Sequence, residues 1–269
     1  MTSSKRWVVP TRVGRADRGD NRFYGFRVNA DLVGMESFAG ITAMAISGRR
    51  VPAEHVPLLD AFAVFLTLAE PRIWPLKIAR LASAYGGMVP GLVAGNLCFH
   101  GASVGHLTTG NCAVWLSELH DAVVGVDEAS AVERFVLARL ERRERLIGYG
   151  VPFRPEDERM VALGQVLERH DRLSLPHWRL HVLVSRIVRE RKGIEPNIGA
   201  GLAAALLDMD FRPPEIGPLV LALGQQIFFA NAFEGAHQAP ELLRSLPDEC
   251  VEYAGRAPRV SPRALRAAR

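Results

Sequence analysis

The sequence predicts an all-α protein, and three observations support this fold class. Most apolar runs are longer than a typical strand and place their apolar residues at helical rather than alternating spacing. The segments between them are short and contain Gly and Pro, as in YGVP, GIEPN and FRPPE, which favours turns between helices. The alternation of strand and helix patterns that is typical of a parallel α/β sheet is not found. We therefore expect helices that pack mainly against one another.

The first elements are predicted in order from the N-terminus. Residues 1–30 are rich in Arg and Gly, and only a weak alternation near their end indicates a short strand. Residues 56–70 form an apolar helical pattern with Pro57 in the first turn, where proline is favoured, and residues 75–85 form a short amphipathic one. Residues 90–99 are apolar on every side, so we expect this helix to be buried.

The remaining helices are predicted from apolar positions set among charged residues at helical spacing. Residues 107–124 form an apolar helix that carries Trp115 and Leu119, whereas residues 128–147 place apolar side chains among many charges. The others cover residues 156–170, 177–192, 198–210, 214–234 and 240–246. No internal repeat or low-complexity tract interrupts this order.

The composition is that of a globular chain. It has 269 residues, 48% of them hydrophobic and 23% charged, which is enough for one large domain or for a large and a small one. The net charge is +4, and much of the basic excess lies near the two ends. Such clusters are typical of solvated tails, and the alternative is attraction for a polyanionic ligand or weak contact with nucleic acid. Because no basic patch is interleaved with aromatic residues, we expect no specific nucleic-acid recognition.

Cysteine usage and hydropathy bear on the cellular compartment. The three cysteines, Cys98, Cys112 and Cys250, form no CxxC pair, which favours a reducing compartment over a disulfide framework. The N-terminal residues lack the continuous apolar stretch that signal peptides contain. No uninterrupted apolar run reaches the length of about 18 residues that a membrane helix needs. We expect a cytoplasmic protein without a membrane span.

Four stretches of the chain resemble one enzyme superfamily. They are GLVAGNLCFHGASVGHL (91–107), GYGVPFRPEDER (148–159), EPNIGAGLAAALLDMDF (195–211) and FFANAFEG (228–235). Together they are similar to citrate synthases and citryl-CoA lyases, and the resemblance covers residues 25–240. It implies a two-lobed helical fold, a homodimer and an active site in the cleft between the lobes. The expected boundaries are 1–25 for a basic N-terminal segment, 26–126 for the large lobe, 127–237 for the small lobe with the pocket-closing helices, and 238–269 for a C-terminal helix and Arg-rich tail.

The resemblance places three candidate catalytic residues in the first of these stretches. The family has a histidine there that polarises the thioester carbonyl, and an ungapped alignment puts Ser103 at its position. His100 and His106 lie three residues to either side, so a small shift in register brings one of the two imidazoles into that role. The second family histidine corresponds to Val151, and the aspartate that removes the α-proton corresponds to Gly199. Neither residue transfers protons, which argues against ordinary citrate synthesis or citryl-CoA cleavage.

Five further residues are candidate substrate-binding groups by the same resemblance. Arg159 matches a family arginine that binds carboxylate, whereas a second such arginine corresponds to Gln225 and a later histidine to Asn231. Asn197 and Glu234 match family residues without change. The alternative for Arg159 is an ion pair with a neighbouring acid, and the alternative for the polar residues after position 224 is a helix-packing network.

Two motif interpretations remain beside the resemblance. Residues 101–105 also spell G-x-S-x-G, the nucleophile-elbow pattern of serine hydrolases, which needs a preceding strand and a sheet. The spacings of His and Cys match no zinc pattern, so we expect no metal site.

These observations predict an enzyme with a repurposed cleft that acts on a carbonyl or acyl substrate. A coenzyme A thioester is one candidate substrate, and no cofactor is required. The expected reaction is carbon–carbon bond formation or cleavage, or a related cyclisation or isomerisation. The alternatives are a non-catalytic binding or regulatory subunit and a serine-dependent hydrolase that uses the GASVG motif.

Overall fold

The computed structural model describes residues 7–101, 104–125, 127–151, 155–238 and 247–256, together with residues 259 and 263. Helices dominate this part of the chain, which confirms the all-α prediction. They are α1 (Phe38–Ser47), α2 (Val56–Phe65), α3 (Trp74–Gly86), α4 (Met88–Gly101), α5 (His106–Val123), α6 (Glu128–Glu141), α7 (Glu158–Arg169), α8 (Pro176–Lys192), α9 (Ile198–Leu207), α10 (Pro213–Leu223) and α11 (Gln225–Ala236). Short helical turns lie at Val28–Leu32, Ala53–His55 and Asp248–Cys250.

The predicted strand near the end of residues 1–30 is part of a small N-terminal sheet. Three two-residue strands, β1 (Gly14–Arg15), β2 (Arg22–Phe23) and β3 (Phe26–Arg27), pair antiparallel in that order. Tyr24 and Gly25 join β2 to β3 with φ angles of 47° and 90°, as a tight hairpin turn requires. The turn falls inside the weakly alternating stretch, which is why the sequence pattern predicts one strand there and not a hairpin.

The main core surrounds α5 and α9. Every residue of α9 is buried, because its sequence IGAGLAAALL offers only small and apolar side chains. Helix α5 packs against α9, α10, α8 and α6, and its Leu116 belongs with Leu202 of α9 to one buried cluster. Val132 and Val136 of α6 are part of the same cluster. One core thus extends across residue 127, and the division of the chain into two lobes stays a prediction.

A second, smaller cluster joins α3, α4 and α11 through close helix contacts. Its buried side chains are those of Leu76, Ala79 and Phe228. A Cβ atom added at Gly91 of α4 would lie 1.7 Å from the Oγ atom of Ser83 and 2.5 Å from the backbone oxygen of Ala79. A Cβ atom added at Gly235 of α11 would lie 2.3 Å from the backbone oxygen of Arg80. A side chain at either position would therefore push the helices apart.

The prediction that residues 90–99 form a buried helix is wrong for the single chain. Helix α4 turns its glycines toward α3 and α11, and three of its apolar side chains lie on the outer side. Val89, Val93 and Leu97 are 69%, 55% and 70% exposed. Because they are spaced four residues apart, they form one continuous apolar surface, the α4 stripe. His100 is also exposed, three residues beyond Leu97 and next to the stripe.

The helix predicted over residues 214–234 is divided at Gly224 into α10 and α11. The combined stretch, Pro213–Ala236, is 24 residues long and apolar enough to cross a membrane. Half of an apolar 18-residue window within it is buried inside the fold, where α10 packs against α5 and α11 packs against α3. These contacts are typical of core helices. The helix predicted over residues 240–246 lies outside the described residues.

Candidate functional site

The connection between α4 and α5 brings two of the candidate histidines together. His100 lies in the last turn of α4, and His106 is the first residue of α5. The Nδ1 atom of His100 lies 3.3 Å from the Nε2 atom of His106, and the ring planes differ by 25°. In such a contact, one nitrogen holds the proton and the other accepts it. The two imidazoles can therefore pass a proton between them, and we call them the imidazole pair.

His106 lies in a dry environment. Only 3% of the residue is exposed, and the centroid of the Phe99 ring lies 4.9 Å from that of its imidazole. Burial lowers the pKa of His106, and the neighbouring His100 lowers it further. The Nδ1 atom of His106 is buried and has no hydrogen-bond partner among the described residues. His106 is thus an imidazole that stays neutral at neutral pH, with one nitrogen facing His100 and the other uncommitted.

The third candidate catalytic residue, Ser103, lies outside the described residues. The motif that contains it is flanked by α4, which ends at Gly101, and by α5, which begins at His106. A nucleophile elbow needs a strand in the place where α4 stands. The described structure on either side of Ser103 therefore lacks the support on which a serine-hydrolase elbow depends.

Arg159 is engaged by an acid two residues earlier in the chain. Its Nε and Nη2 atoms donate to the two carboxylate oxygens of Asp157, each over 2.8 Å. Asp157 also accepts the backbone N–H of Ile198 at the start of α9. Burial alone would raise the pKa of Asp157, but the hydrogen bonds from Arg159 and Ile198 outweigh it and lower the pKa. This pair ties α7 to α9, and it commits two of the five guanidinium N–H donors of Arg159 to Asp157.

Asn197 caps α9 and leaves no room for a side chain two residues later. Its Oδ1 atom accepts the N–H of Gly199, and its Nδ2 atom donates to the backbone oxygen of Gly150. A Cβ atom added at Gly199 would lie 2.9 Å from that Oδ1 atom and 3.1 Å from the Oγ1 atom of Thr109. The space that an aspartate at position 199 would need is therefore occupied by the cap and by α5.

The three candidate residues on α11 all bind other helices or the backbone. Gln225 exchanges hydrogen bonds with the amide of Asn96 on α4, over 3.0 and 3.1 Å. Asn231 is 3% exposed and donates to two backbone carbonyls, one of them in the segment after α2. Glu234 accepts hydrogen bonds from both Nη atoms of Arg80 on α3, each over 2.7 Å. These side chains thus form a helix-packing network, and their roles in substrate binding stay predictions.

Solved structures identify the fold. No family model and no curated protein matches the sequence. The structure is similar to that of citryl-CoA lyase from Hydrogenobacter thermophilus, with a TM-score of 0.82 and 22% identity, over 97% of this chain and 100% of that chain. The chain has the citrate synthase and citryl-CoA lyase fold.

Two other structures with the citrate synthase fold are larger than this chain. One is citrate synthase from Thermoplasma acidophilum with carboxymethyl coenzyme A and oxaloacetate, at a TM-score of 0.62 and 17% identity over 84% of this chain. The other is ATP citrate lyase from Methanothrix soehngenii with citrate and coenzyme A, at a TM-score of 0.71 and 13% identity over 94% of this chain. The chain spans 59% of the first and 42% of the second. At these identities the likeness shows the citrate synthase fold and leaves the reaction to be argued from the site.

Sequence patterns missed two partly buried polar pairs that involve histidines of α8. The Nδ1 atom of His177 lies 2.9 Å from the Oδ1 atom of Asp208, which also accepts the first N–H groups of α8. One turn later, the Nδ1 atom of His181 lies 3.0 Å from the hydroxyl of Tyr149. The only signal in the sequence is that the two histidines are four residues apart on one predicted helix. Among the described residues, no group of three or more His, Cys, Asp or Glu side chains is arranged to hold a metal ion.

Proposed function

We propose that this chain is an enzyme that makes or breaks a carbon–carbon bond next to a carbonyl group, with a coenzyme A thioester as the acyl substrate. In this proposal the imidazole pair moves the proton. The observation that carries it is the Nδ1 atom of His106, which is buried beside a second imidazole and has no hydrogen-bond partner in the described part of the chain. The five candidate binding residues, by contrast, make hydrogen bonds within the protein.

The substrate class is supported by what the similar structures contain. One is a citryl-CoA lyase, one holds carboxymethyl coenzyme A with oxaloacetate, and one holds citrate with coenzyme A. A thioester carbonyl stabilises negative charge on the neighbouring carbon, which is what the breaking of a carbon–carbon bond at that position requires. A thioester therefore suits a site whose chemistry is limited to proton transfer.

In the cleavage direction, the neutral imidazole of His106 takes the hydroxyl proton of a β-hydroxyacyl thioester. The electron pair of that O–H bond forms the carbonyl group of the departing fragment. The electron pair of the broken carbon–carbon bond passes to the thioester, which becomes an enolate. The imidazolium then returns its proton to the α-carbon, so that atoms and charges balance. The addition direction runs through the same steps in reverse, and neither direction consumes an oxidant or a reductant.

His106 suits this role because it is unprotonated before the reaction. A base has to be neutral to accept a proton, and burial holds the pKa of His106 below its ordinary value. His100 lies at the exposed end of the imidazole pair and connects it with solvent. One positioned acid–base group is worth about 10²–10⁴-fold in rate. The pair can thus supply the proton transfer for which Val151 and Gly199 have no groups.

The contacts of Arg159 bear on the carbonyl fragment. Because Asp157 accepts from two of the five guanidinium N–H donors and places a negative charge beside them, a substrate carboxylate binds Arg159 less strongly than it would bind an unpaired arginine. Gln225 stands at the position aligned with the second carboxylate-binding arginine of the family, and Asn231 at that of a later histidine; neither residue carries a charge. We therefore propose a carbonyl fragment that is less acidic than oxaloacetate.

Cleavage of two thioesters tests the proposal. Release of acetyl-CoA from citryl-CoA and from 3-hydroxy-3-methylbutyryl-CoA, whose carbonyl fragment has no carboxylate, is followed by chromatography. We expect cleavage of the second thioester, and a loss of about 10²–10⁴-fold in His106→Gln. The matched control is His170→Gln, because His170 is an exposed histidine at the end of α7. Equal rates in His106→Gln and the wild type would contradict the proposal.

A non-catalytic binding subunit is the second candidate, and the internal contacts of the candidate binding residues favour it. A thermal-shift titration with coenzyme A, acetyl-CoA, oxaloacetate and citrate separates the two. A ligand that binds only the folded state stabilises it by about 2.7 kcal/mol at 100 times its dissociation constant. A shift with coenzyme A thioesters together with turnover supports the enzyme. A shift without turnover of either thioester supports the binding subunit.

We further propose that two copies pair through the α4 stripe. Phe229 and Phe233 of α11, a helix that packs against α4, are also 47% and 60% exposed. When a partner covers an exposed surface of this kind, burial of its apolar area contributes about 25 cal/mol of favourable free energy for each Å². A second copy offers the same surface, as a two-fold symmetric interface requires.

A further inference from the structure

We infer that Phe99 is a positioning residue for the imidazole pair: its ring holds His106 against His100 and excludes water from the His106 ring. The inference deepens the proposed function and rests on it, because it assigns a role to one wall of the same site. The Phe99 ring lies against three neighbours, Gly105, His106 and Phe228.

The ring of Phe99 lies between a buried aromatic side chain and the imidazole. Its centroid is 5.3 Å from that of Phe228 and 4.9 Å from that of His106. Phe228 is 1% exposed and belongs to the cluster that joins α3, α4 and α11. One side of the Phe99 ring is therefore held by a close-packed cluster, and its other contact is the face that His106 presents.

The chain before His106 is shaped around the same ring. A Cβ atom added at Gly105 would lie 2.0 Å from the Cζ atom of Phe99 and 2.5 Å from its Cε2 atom. Gly105 also has a φ angle of 71°, which residues other than glycine rarely adopt. Glycine is thus required at position 105 both by the backbone and by the ring. Because His106 directly follows Gly105 in the chain, the Phe99 ring also determines where the backbone of His106, and with it the imidazole, is placed.

Charged groups on the neighbouring helices do not explain why water is excluded from the His106 ring. Among the described residues, His100 is the titratable group that acts on the pKa of His106, and α9, which packs on α5, has no titratable side chain. Glu215 on α10 is bound by two arginines, and Glu234 on α11 is bound by Arg80. Removal of the Phe99 ring would therefore act on His106 through water and geometry, and not through a newly exposed charge.

Histidine NMR on the whole protein tests the inference without a substrate. The variants are Phe99→Ala, the more conservative Phe99→Leu, and Leu76→Ala as a packing control, since Leu76 is 1% exposed in the same cluster. The signal of His106 is assigned from its loss in His106→Gln. We expect its titration midpoint to rise toward that of an exposed histidine in Phe99→Ala, to rise less in Phe99→Leu, and to stay unchanged in Leu76→Ala.

Two outcomes would overturn the inference. One is a His106 midpoint that stays unchanged in both Phe99 variants, and the other is a midpoint that moves as far in Leu76→Ala. Turnover of the two thioesters, measured on the same proteins, keeps this failure distinct from failure of the proposed function. If the midpoint rises as expected but the wild type cleaves neither thioester, only the proposed function fails. If cleavage depends on His106 while Phe99→Ala leaves both midpoint and rate unchanged, only the positioning role fails.

Discussion

Acidification below about pH 6 is expected to destabilise the protein through one buried histidine. His181 is 2% exposed and lies between Tyr149 and Trp178, whose ring centroids are 5.9 and 5.1 Å from its own. Burial lowers the pKa of His181 from 6.5 to about 4. The Nδ1 atom of His181 lies 3.0 Å from the Tyr149 hydroxyl, within hydrogen-bond distance.

The size of the effect follows from the difference between the folded and unfolded pKa values of His181. The folded pKa is the lower one, so the unfolded chain takes up the proton first as the pH falls. Stability is therefore unaffected above pH 6.5 and is lost progressively between 6.5 and about 4. One pKa unit corresponds to about 1.4 kcal/mol, which gives a loss of about 3 kcal/mol by pH 4. Such a loss is a large part of the roughly 5–15 kcal/mol by which typical proteins are stable.

Urea unfolding followed by tryptophan fluorescence, at roughly pH 7 and pH 4, measures this loss in the wild type and in His181→Gln. His170→Gln serves as the control for the removal of a histidine from the surface. Burial also lowers the pKa values of His55 and His106, but these contribute equally to all three proteins and cancel. We expect the loss to be smaller in His181→Gln than in the wild type by about 3 kcal/mol. Equal losses in the two proteins would refute the reasoning.

Three further predictions concern packing, the site and assembly. Gly91→Ala should cost about 1–3 kcal/mol, because the added methyl group overlaps a serine hydroxyl on α3. Gly164→Ala, whose added Cβ has nothing within 4 Å, should leave stability equal or higher, and urea unfolding of the two variants checks this. Gly199→Asp should lower stability and should not raise the rate of acetyl-CoA proton exchange above that of the wild type, since the cap of α9 fills the space; faster exchange than in the wild type would contradict the crowding. Leu97→Glu should convert dimers to monomers in sedimentation velocity, whereas Val161→Glu, at an exposed position on α7, should not.

The order of the helices could be predicted because apolar periodicity and Gly or Pro breaks are local properties. Helix α8, Pro176–Lys192, differs by one residue from the prediction at its start and matches it at its end. Helix α6 is shorter than predicted and ends at Glu141. The pattern ERRERLIGYG does not reveal that Arg143 adopts a φ angle of 57°, which no continuing helix contains.

The partners of the candidate site residues were beyond sequence patterns, because they are set by packing between distant helices. Gln225 and Asn96 are 129 positions apart, and nothing local indicates that their amides meet. The composition of α4 showed that it is apolar, but the fold decides that its glycines and not its valines face α3. The family resemblance implied that His100 or His106 could act in place of the family histidine; their contact in space shows that they form a pair.

Deuterium exchange at the α-carbon of acetyl-CoA tests the central claim most directly, namely that the imidazole pair is a proton-transfer centre for a thioester. The protein is incubated with acetyl-CoA in D₂O, and incorporation is followed by mass spectrometry. We predict exchange with the wild type and with His170→Gln, and exchange that is slower by about 10²-fold or more with His106→Gln. Exchange at the wild-type rate in His106→Gln, or no exchange in the wild type, would contradict the claim.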